Sequence, residues 1–198
     1  MAIDATKVLV GAPDQQATTG AIRTIDVIDV DDIPATFADA ETLLATMTAS
    51  GYVSEDGLEL ANDMSTTDIR EWGRNIVRKI LDTFDNTLSW SLIQMDEASW
   101  KQALGDDAVT ATAASSSHGA QLHIEMGAHL APEKTWAFAM KDGDTKIIII
   151  VPRGQITALD TITFNASEAI ALPVTLSCYD GGDGETLHIY IDDGQTTS

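Results

Sequence analysis

The sequence holds a single cysteine, Cys178, so no disulfide can close within the chain. A zinc site containing cysteine would have to take nearly all its other ligands from histidine or carboxylate. Basic residues are also scarce, 11 Lys and Arg against 31 Asp and Glu for a formal net charge of −20, and neither Lys nor Arg occurs after Arg153. A surface this acidic does not hold a phosphate backbone by counterion release, which excludes tight or sequence-specific nucleic-acid binding. It still suits a protein past which DNA must slide. The most hydrophobic run, Lys146-Ile-Ile-Ile-Ile-Val151, is far too short for a bilayer crossing, and the opening MAIDATKVLV lacks the basic-then-apolar order of a signal peptide. The expectation is a soluble protein not exported through a signal sequence. Aromatics make up only 6% of the chain, but hydrophobics reach 44%, which describes a globular protein rather than a disordered one.

Catalytic groupings are missing as well. There is no Gly-x-Ser-x-Gly elbow, no phosphate-cradling loop with lysine, and no Cys-His pair close in sequence. Any two of the acids could meet in the fold, yet no local feature supports paired-carboxylate hydrolysis. The chain is expected not to be an enzyme and to need no cofactor. His123, Glu125 and His129 (HIEMGAH) fall short of the helical zinc motif, because the second histidine lies six residues on and Gly127 interrupts. His123 and Glu125 read instead as a solvated strand face. Asp180, Asp183 and Glu185, in the run Asp-Gly-Gly-Asp-Gly-Glu, have a spacing that can wrap calcium, but Gly-Asp-Gly between strands is more simply a turn. Asp26, Asp29, Asp31 and Asp32 read as an exposed acidic edge.

What is present is period-two patterning over most of the length, the mark of half-buried antiparallel strands. Leu88, Trp90 and Leu92 share one face of a strand over Thr87 to Met95; Leu122, Ile124 and Met126 do so over 121–126, and Leu187, Ile189 and Ile191 over 186–191, opposite His188 and Tyr190. Lys141-Asp-Gly-Asp144 marks a hairpin, and four consecutive isoleucines beyond it predict a central strand covered on both faces. Further strands are expected near 6–11, 21–28, 75–81, 109–113, 156–164 and 172–179. In the last, Cys178 alternates with Leu172, Val174 and Leu176, where a free thiol acts as a small apolar group. One helix is clearly signalled: Asp96 as N-cap, Glu97 in the first turn, Ala98 to Leu104 as helix formers, Gly105 as C-cap. Residues 39–50 are expected to be loop or short helix. Thr110 to Ser117 begins as strand and runs into a loop.

Four of the eleven basic residues, Arg70, Arg74, Arg78 and Lys79, crowd next to Trp72. Like subunits carrying −20 each need such complementary patches to associate at all. The readings are a subunit contact or a solvated strand face, and the contact is preferred.

Gly51-Tyr-Val-Ser-Glu-Asp-Gly-Leu58, Asp68-Ile-Arg-Glu-Trp-Gly73 and Asp96-Glu-Ala-Ser-Trp-Lys-Gln-Ala-Leu-Gly105, in that order, resemble the major tail tube proteins of long-tailed bacteriophages. Val8-Leu-Val-Gly-Ala-Pro13 through Thr19-Gly-Ala-Ile22 is similar to their first strand. The resemblance implies a mainly β fold, an antiparallel β-sandwich or split barrel flanked by one short α-helix. It implies one domain over 1–198, with 31–74 an extended loop or arm between subunits and 192–198 a flexible tail. It further implies six copies per ring and rings stacked into a tube in the virion tail, assembled in the host cytoplasm. The tape measure protein fills that tube before double-stranded DNA passes through, and tail terminator and distal tail proteins cap it; no membrane is involved. The expected subunit interface is Asp68, Arg70, Trp72, Arg74, Arg78 and Lys79. Two rivals are the inner tube of a type VI secretion or related injection system, and a monomeric β-sandwich binding calcium or carbohydrate.

Overall fold

The structure is a computed structural model and describes residues 8–14 and 20–195. Its centre is a hairpin of β7 (Lys134–Asp142) and β8 (Thr145–Leu159), closed by the two-residue loop Gly143-Asp144 with Gly143 at φ 59°. The positive φ sits on glycine, which has no Cβ to oppose it. Both strands are buried on two faces, as the isoleucine run predicts. Ile149 and Val151 enter a main core with Trp136, Phe138, Leu88 and Trp90, while Ile148 and Ile150 pack on the opposite side against Ala40 and Met47.

Around this hairpin an eight-stranded antiparallel sheet runs in the order β2 (Thr48–Ala49), β1 (Ile22–Asp26), β7, β8, β9 (Leu172–Tyr179), β4 (Ile76–Leu92), β3 (Val53–Arg70), with β10 (His188–Asp192) also on β8. The sheet curls over the main core without closing. Ala49, Ser50, Val53 and Leu58 face one another across a cleft between its two end strands. Two helices complete the body. One is α2 (Glu97–Leu104), which places Trp100 and Ala103 in the main core; the other is α1 (Phe37–Thr46), which covers Ile148 and Ile150. A two-stranded sheet of β5 (Val109–Thr112) and β6 (Gln121–Ile124) is not paired with the main sheet, but its Val109 and Ile124 reach the main core. This is the mainly β, sandwich-like fold that the resemblance implies, built from the antiparallel strands that the patterning predicts, with two α-helices among the described residues instead of one.

The single strand β8 replaces two expected pieces, 147–151 and 156–164. Proline inside a strand normally ends it, because it has no N–H for the ladder. Pro152 is tolerated because β8 changes partner there: on one edge Lys146 to Ile150 pair with β10, and Arg153 to Leu159 pair with β9. On the other edge the β7 register shifts between Lys134 and Trp136, and the Thr135 hydroxyl donates to the Pro152 carbonyl at 2.6 Å. Past Leu159 the chain leaves the sheet, and Phe164 is exposed.

α2 follows its signals: Asp96 accepts from the Ser99 N–H at 2.9 Å, and Gly105, at φ 96°, donates to Lys101. A Cβ on Gly105 would lie 2.7 Å from Pro132, so glycine is required twice over. α1 begins earlier than 39, because Thr36 and Asp39 form a reciprocal capping box. Arg23, buried in β1, donates to the Leu44 carbonyl at 2.8 Å and complements the negative end of α1.

Other expectations need correction. The strand expected near 6–11 lies partly outside the described residues. Within them only Pro13 makes an isolated bridge, to Met140, again because proline cannot continue a ladder. The faces of β10 are reversed: Ile189 and Ile191 are exposed, whereas Tyr190 packs in the α1 core and its hydroxyl donates to the Pro34 carbonyl. Its pairing places Tyr190 beside Ile148, on the face that α1 covers. β6 ends at Ile124, and Met126 is exposed. β4 ends at Leu92 rather than Met95. Residues 31–74 are not one loop: they contain a 3-10 turn at Val30–Asp32, α1, β2 and β3. Of the tail 192–198, Asp192 closes β10, and 196–198 lie outside the described residues.

Candidate assembly surface

β3 and β4 pair over most of their length, but β9 covers β4 only from Thr87 to Leu92. Beyond Asn62 and Asn86 the hairpin therefore leaves the body as an arm, residues 63–85, reaching about 30 Å at the usual rise per residue. From Asp63 to Asp85 every residue is exposed except Asp68.

Pairing fixes which side chains share a face. Leu60 opposite Leu88 and Leu58 opposite Trp90 point into the main core. Continuing outward on that same face come Met64 opposite Phe84, then Thr66 opposite Leu81, where a bulge takes up Asp82. The core-facing side of the hairpin thus carries on past the body with apolar residues and no cover. The other face holds Ile69 and Ile80, with Ser65 and Thr83 hydrogen-bonded at 2.7 Å. Counting Trp72, Ile76 and Val77, eight large apolar side chains are exposed on the arm. Exposed apolar residues in this number make the arm a candidate binding surface.

The tip is a three-residue loop, Trp72-Gly73-Arg74, closed by the Glu71 N–H donating to the Asn75 carbonyl at 3.0 Å and the Arg74 N–H donating to the Glu71 carbonyl at 2.9 Å. Trp72 is wholly exposed. Arg74 stands at φ 68°, the one described non-glycine residue in the left-handed region. An L-residue there costs about 1 kcal/mol relative to glycine.

Of the expected interface residues, the structure brings Asp68, Arg70 and Lys79 together. The Asp68 carboxylate accepts from Arg70 at 3.0 Å and from Lys79 at 2.7 Å. Arg74 and Arg78 have no ion pair among the described residues, and Arg70 donates to the Arg74 carbonyl. Trp72 and Arg74 lie at the loop, Arg78 on the opposite strand face from Asp68 and Lys79. The apolar residues of the arm were the part that the sequence reading missed, although the pairs Ile76-Val77 and Ile80-Leu81 with Phe84 were there to be seen.

A second feature lies on the body. Between α2 and β1 runs a groove of about 610 Å³, lined among others by Asp26, Asp96, Glu97, Lys101, Gln102 and Asp106. Lys101 pairs with Glu97 at 2.7 Å, a hydrogen bond that holds the lysine above its usual pKa, and Lys134 pairs with Asp106 at 3.3 Å. Burial alone raises the Asp96 carboxyl, but hydrogen bonds from Ser99 and Gln94 outweigh it and hold the group below its ordinary value. Gln102 is 6% exposed; its Nε2 donates to Thr24 at 3.3 Å, and its Oε1 has no partner.

His123 and Glu125 are exposed and 3.8 Å apart. Asp180 spends its carboxylate on the Gly182 and Gly184 N–H groups, which lower its pKa, and Asp183 pairs with His188 at 3.1 Å. No described helix is long and apolar enough to cross a membrane.

A family model described as phage tail tube protein matches residues 5–198. The chain belongs to the phage tail tube protein family. It is accordingly a structural protein of a phage tail, and its family implies self-assembly into a tube. Among solved structures it is similar to the anti-feeding prophage cap, the tube-terminating cap, at 13% identity over 96% of this chain and 98% of that one, with a TM-score of 0.43. That likeness is too loose to argue from. No curated protein matches.

Proposed function

We propose that the chain polymerises through its arm as stacked hexameric rings and forms the conduit for double-stranded DNA in the phage tail. The supporting observation is the arm itself, a strand pair whose core-type face continues 30 Å or so into solvent and ends in a cationic tip on an otherwise acidic protein. Monomers gain nothing from such an element, whereas a neighbouring copy can cover it. Asp68, Arg70, Trp72, Arg74, Arg78 and Lys79 are the proposed contact residues. Asp68 aligns Arg70 and Lys79, while Arg74 and Arg78 remain for carboxylates of a neighbour.

A ring of six copies would carry a formal charge on the order of −120 before pairing and screening, an acidic wall to which DNA does not adhere. The tape measure protein before ejection, and tail terminator and distal tail proteins at the ends, are the proposed tail partners, with assembly in the host cytoplasm.

The test is electron microscopy of the purified protein and of the tail. Tubes are expected from the parent protein, and none from Arg74→Glu with Arg78→Glu, whose monomer should keep the parent circular dichroism. Monomers at every concentration together with absence from tail particles would sink the tube reading, and unchanged tubes from the charge-reversed variant would sink the role of the tip.

A further inference from the structure

We infer that the tip of the arm of one copy seats in the groove between α2 and β1 of another copy. This rests on the arm being an intermolecular contact, as argued above, and names the surface that receives it.

The charges fit. Residues 68–79 hold four cations against the two acids Asp68 and Glu71, and the groove sets Asp26, Asp96, Glu97 and Asp106 against Lys101 and Lys134. The groove's two lysines each already hold one carboxylate, so it remains net negative while the tip remains net positive. Opposed fields of this kind speed encounter and fix register. The hydrogen-bonding capacity fits too. Gln102 is more than nine-tenths buried at the groove with an orphan acceptor, and a buried acceptor without a donor is costly. Every polar side chain of the tip's cations is a donor, as is the indole N–H of Trp72. A rigid aromatic flanked by arginines is the residue set that dominates binding energy when it enters a concave, desolvated site.

The other dense acidic patch, where the 30–32 turn meets the 180–185 loop, is a poorer receptor. Asp180 there accepts from the Gly182 and Gly184 N–H groups and Asp183 from the Glu185 N–H, and Asp183 lies 3.1 Å from His188 Nε2. The orphan buried atom there, His188 Nε2, faces Asp183 of its own chain at 3.1 Å.

The test uses the full chain, with polymerisation followed by sedimentation and negative-stain microscopy, and circular dichroism as the folding control. Asp26→Lys with Asp106→Lys should raise the critical concentration at least tenfold, as should Arg74→Glu with Arg78→Glu. All four reversals in one chain should restore it to within a few-fold of the parent. If the arm reversals block assembly while the groove reversals change nothing, the groove is overturned and the arm contact stands; if the arm reversals change nothing, both fall. Independently, Trp72→Cys with Ala98→Cys should give disulfide-linked ladders on oxidation, since Cys178 is buried and does not compete. A monomer band alone from assembled material would overturn the docking.

Discussion

β4 is one strand in two environments. From Thr87 to Leu92 it lies between β3 and β9, and Leu88, Trp90 and Leu92 are buried in alternation. From Ile76 to Asp85 it has only β3 beside it, and every residue is exposed. Apolar content hardly differs between the halves. What differs is what lies across the face: Phe138 and Trp136 stand 5.2 and 5.4 Å from the Trp90 ring, whereas Phe84 is exposed among the described residues. Sequence pattern reports where apolar faces are, and the rest of the chain decides whether they are core or contact.

That contrast can be broken by mutation. Trp90→Ala should destabilise the subunit by about 3–5 kcal/mol, the cost of a large cavity in a packed core, read from urea midpoints at concentrations below polymerisation. Asp96→Ala should cost about 1 kcal/mol through loss of the α2 cap. Because the folded pKa of Asp96 is depressed, its contribution is complete above the ordinary unfolded value of about 3.9 and fades as pH falls through the lower folded value. A difference in stability between parent and Asp96→Asn that kept growing as acid was added would contradict this. Arg74→Gly should work in the opposite direction, stabilising the isolated subunit by about 1 kcal/mol by relieving the left-handed backbone, yet weakening polymerisation because a cation is gone. The smallest effect belongs to Phe84→Ala, within about 0.5 kcal/mol for the monomer since the site is already wet, with the loss appearing only in assembly. A cost for Phe84→Ala near that of Trp90→Ala would erase the distinction between the two halves.

Much of the body was legible. Leu172 to Cys178 alternate as read, and burial pushes the Cys178 thiol up to about 12, in keeping with its reading as a small apolar group. The Asp96 to Gly105 helix was legible because its signals are local. β3 was not, since Glu59, Asn62, Asp63 and Asp68 are poor strand formers and neither face past Leu60 is covered by the body, so no period of two was selected there. β10 was read with its faces exchanged for a related reason: Ile189 and Ile191 lie on the side that no helix covers, while Tyr190 reaches under α1. In the candidate site, charge clustering pointed to Arg70, Arg74, Arg78, Lys79 and Trp72. The groove beside α2 was hidden because its carboxylates come from β1, α2 and the turn after it, which only the fold brings together.

The ladder geometry of the arm has a mechanical side. A pull on the tip runs along β3 and β4, so the hydrogen bonds joining β4 to β9 from Thr87 to Leu92 lie across the load and must yield together rather than peel one by one. From β9 the load passes into β8 and, beyond Pro152, through the same backbone to β10 and the strands under α1. Tension applied at one end of the subunit is therefore delivered to its far side through a single covalent strand, which makes the subunit a tensile link.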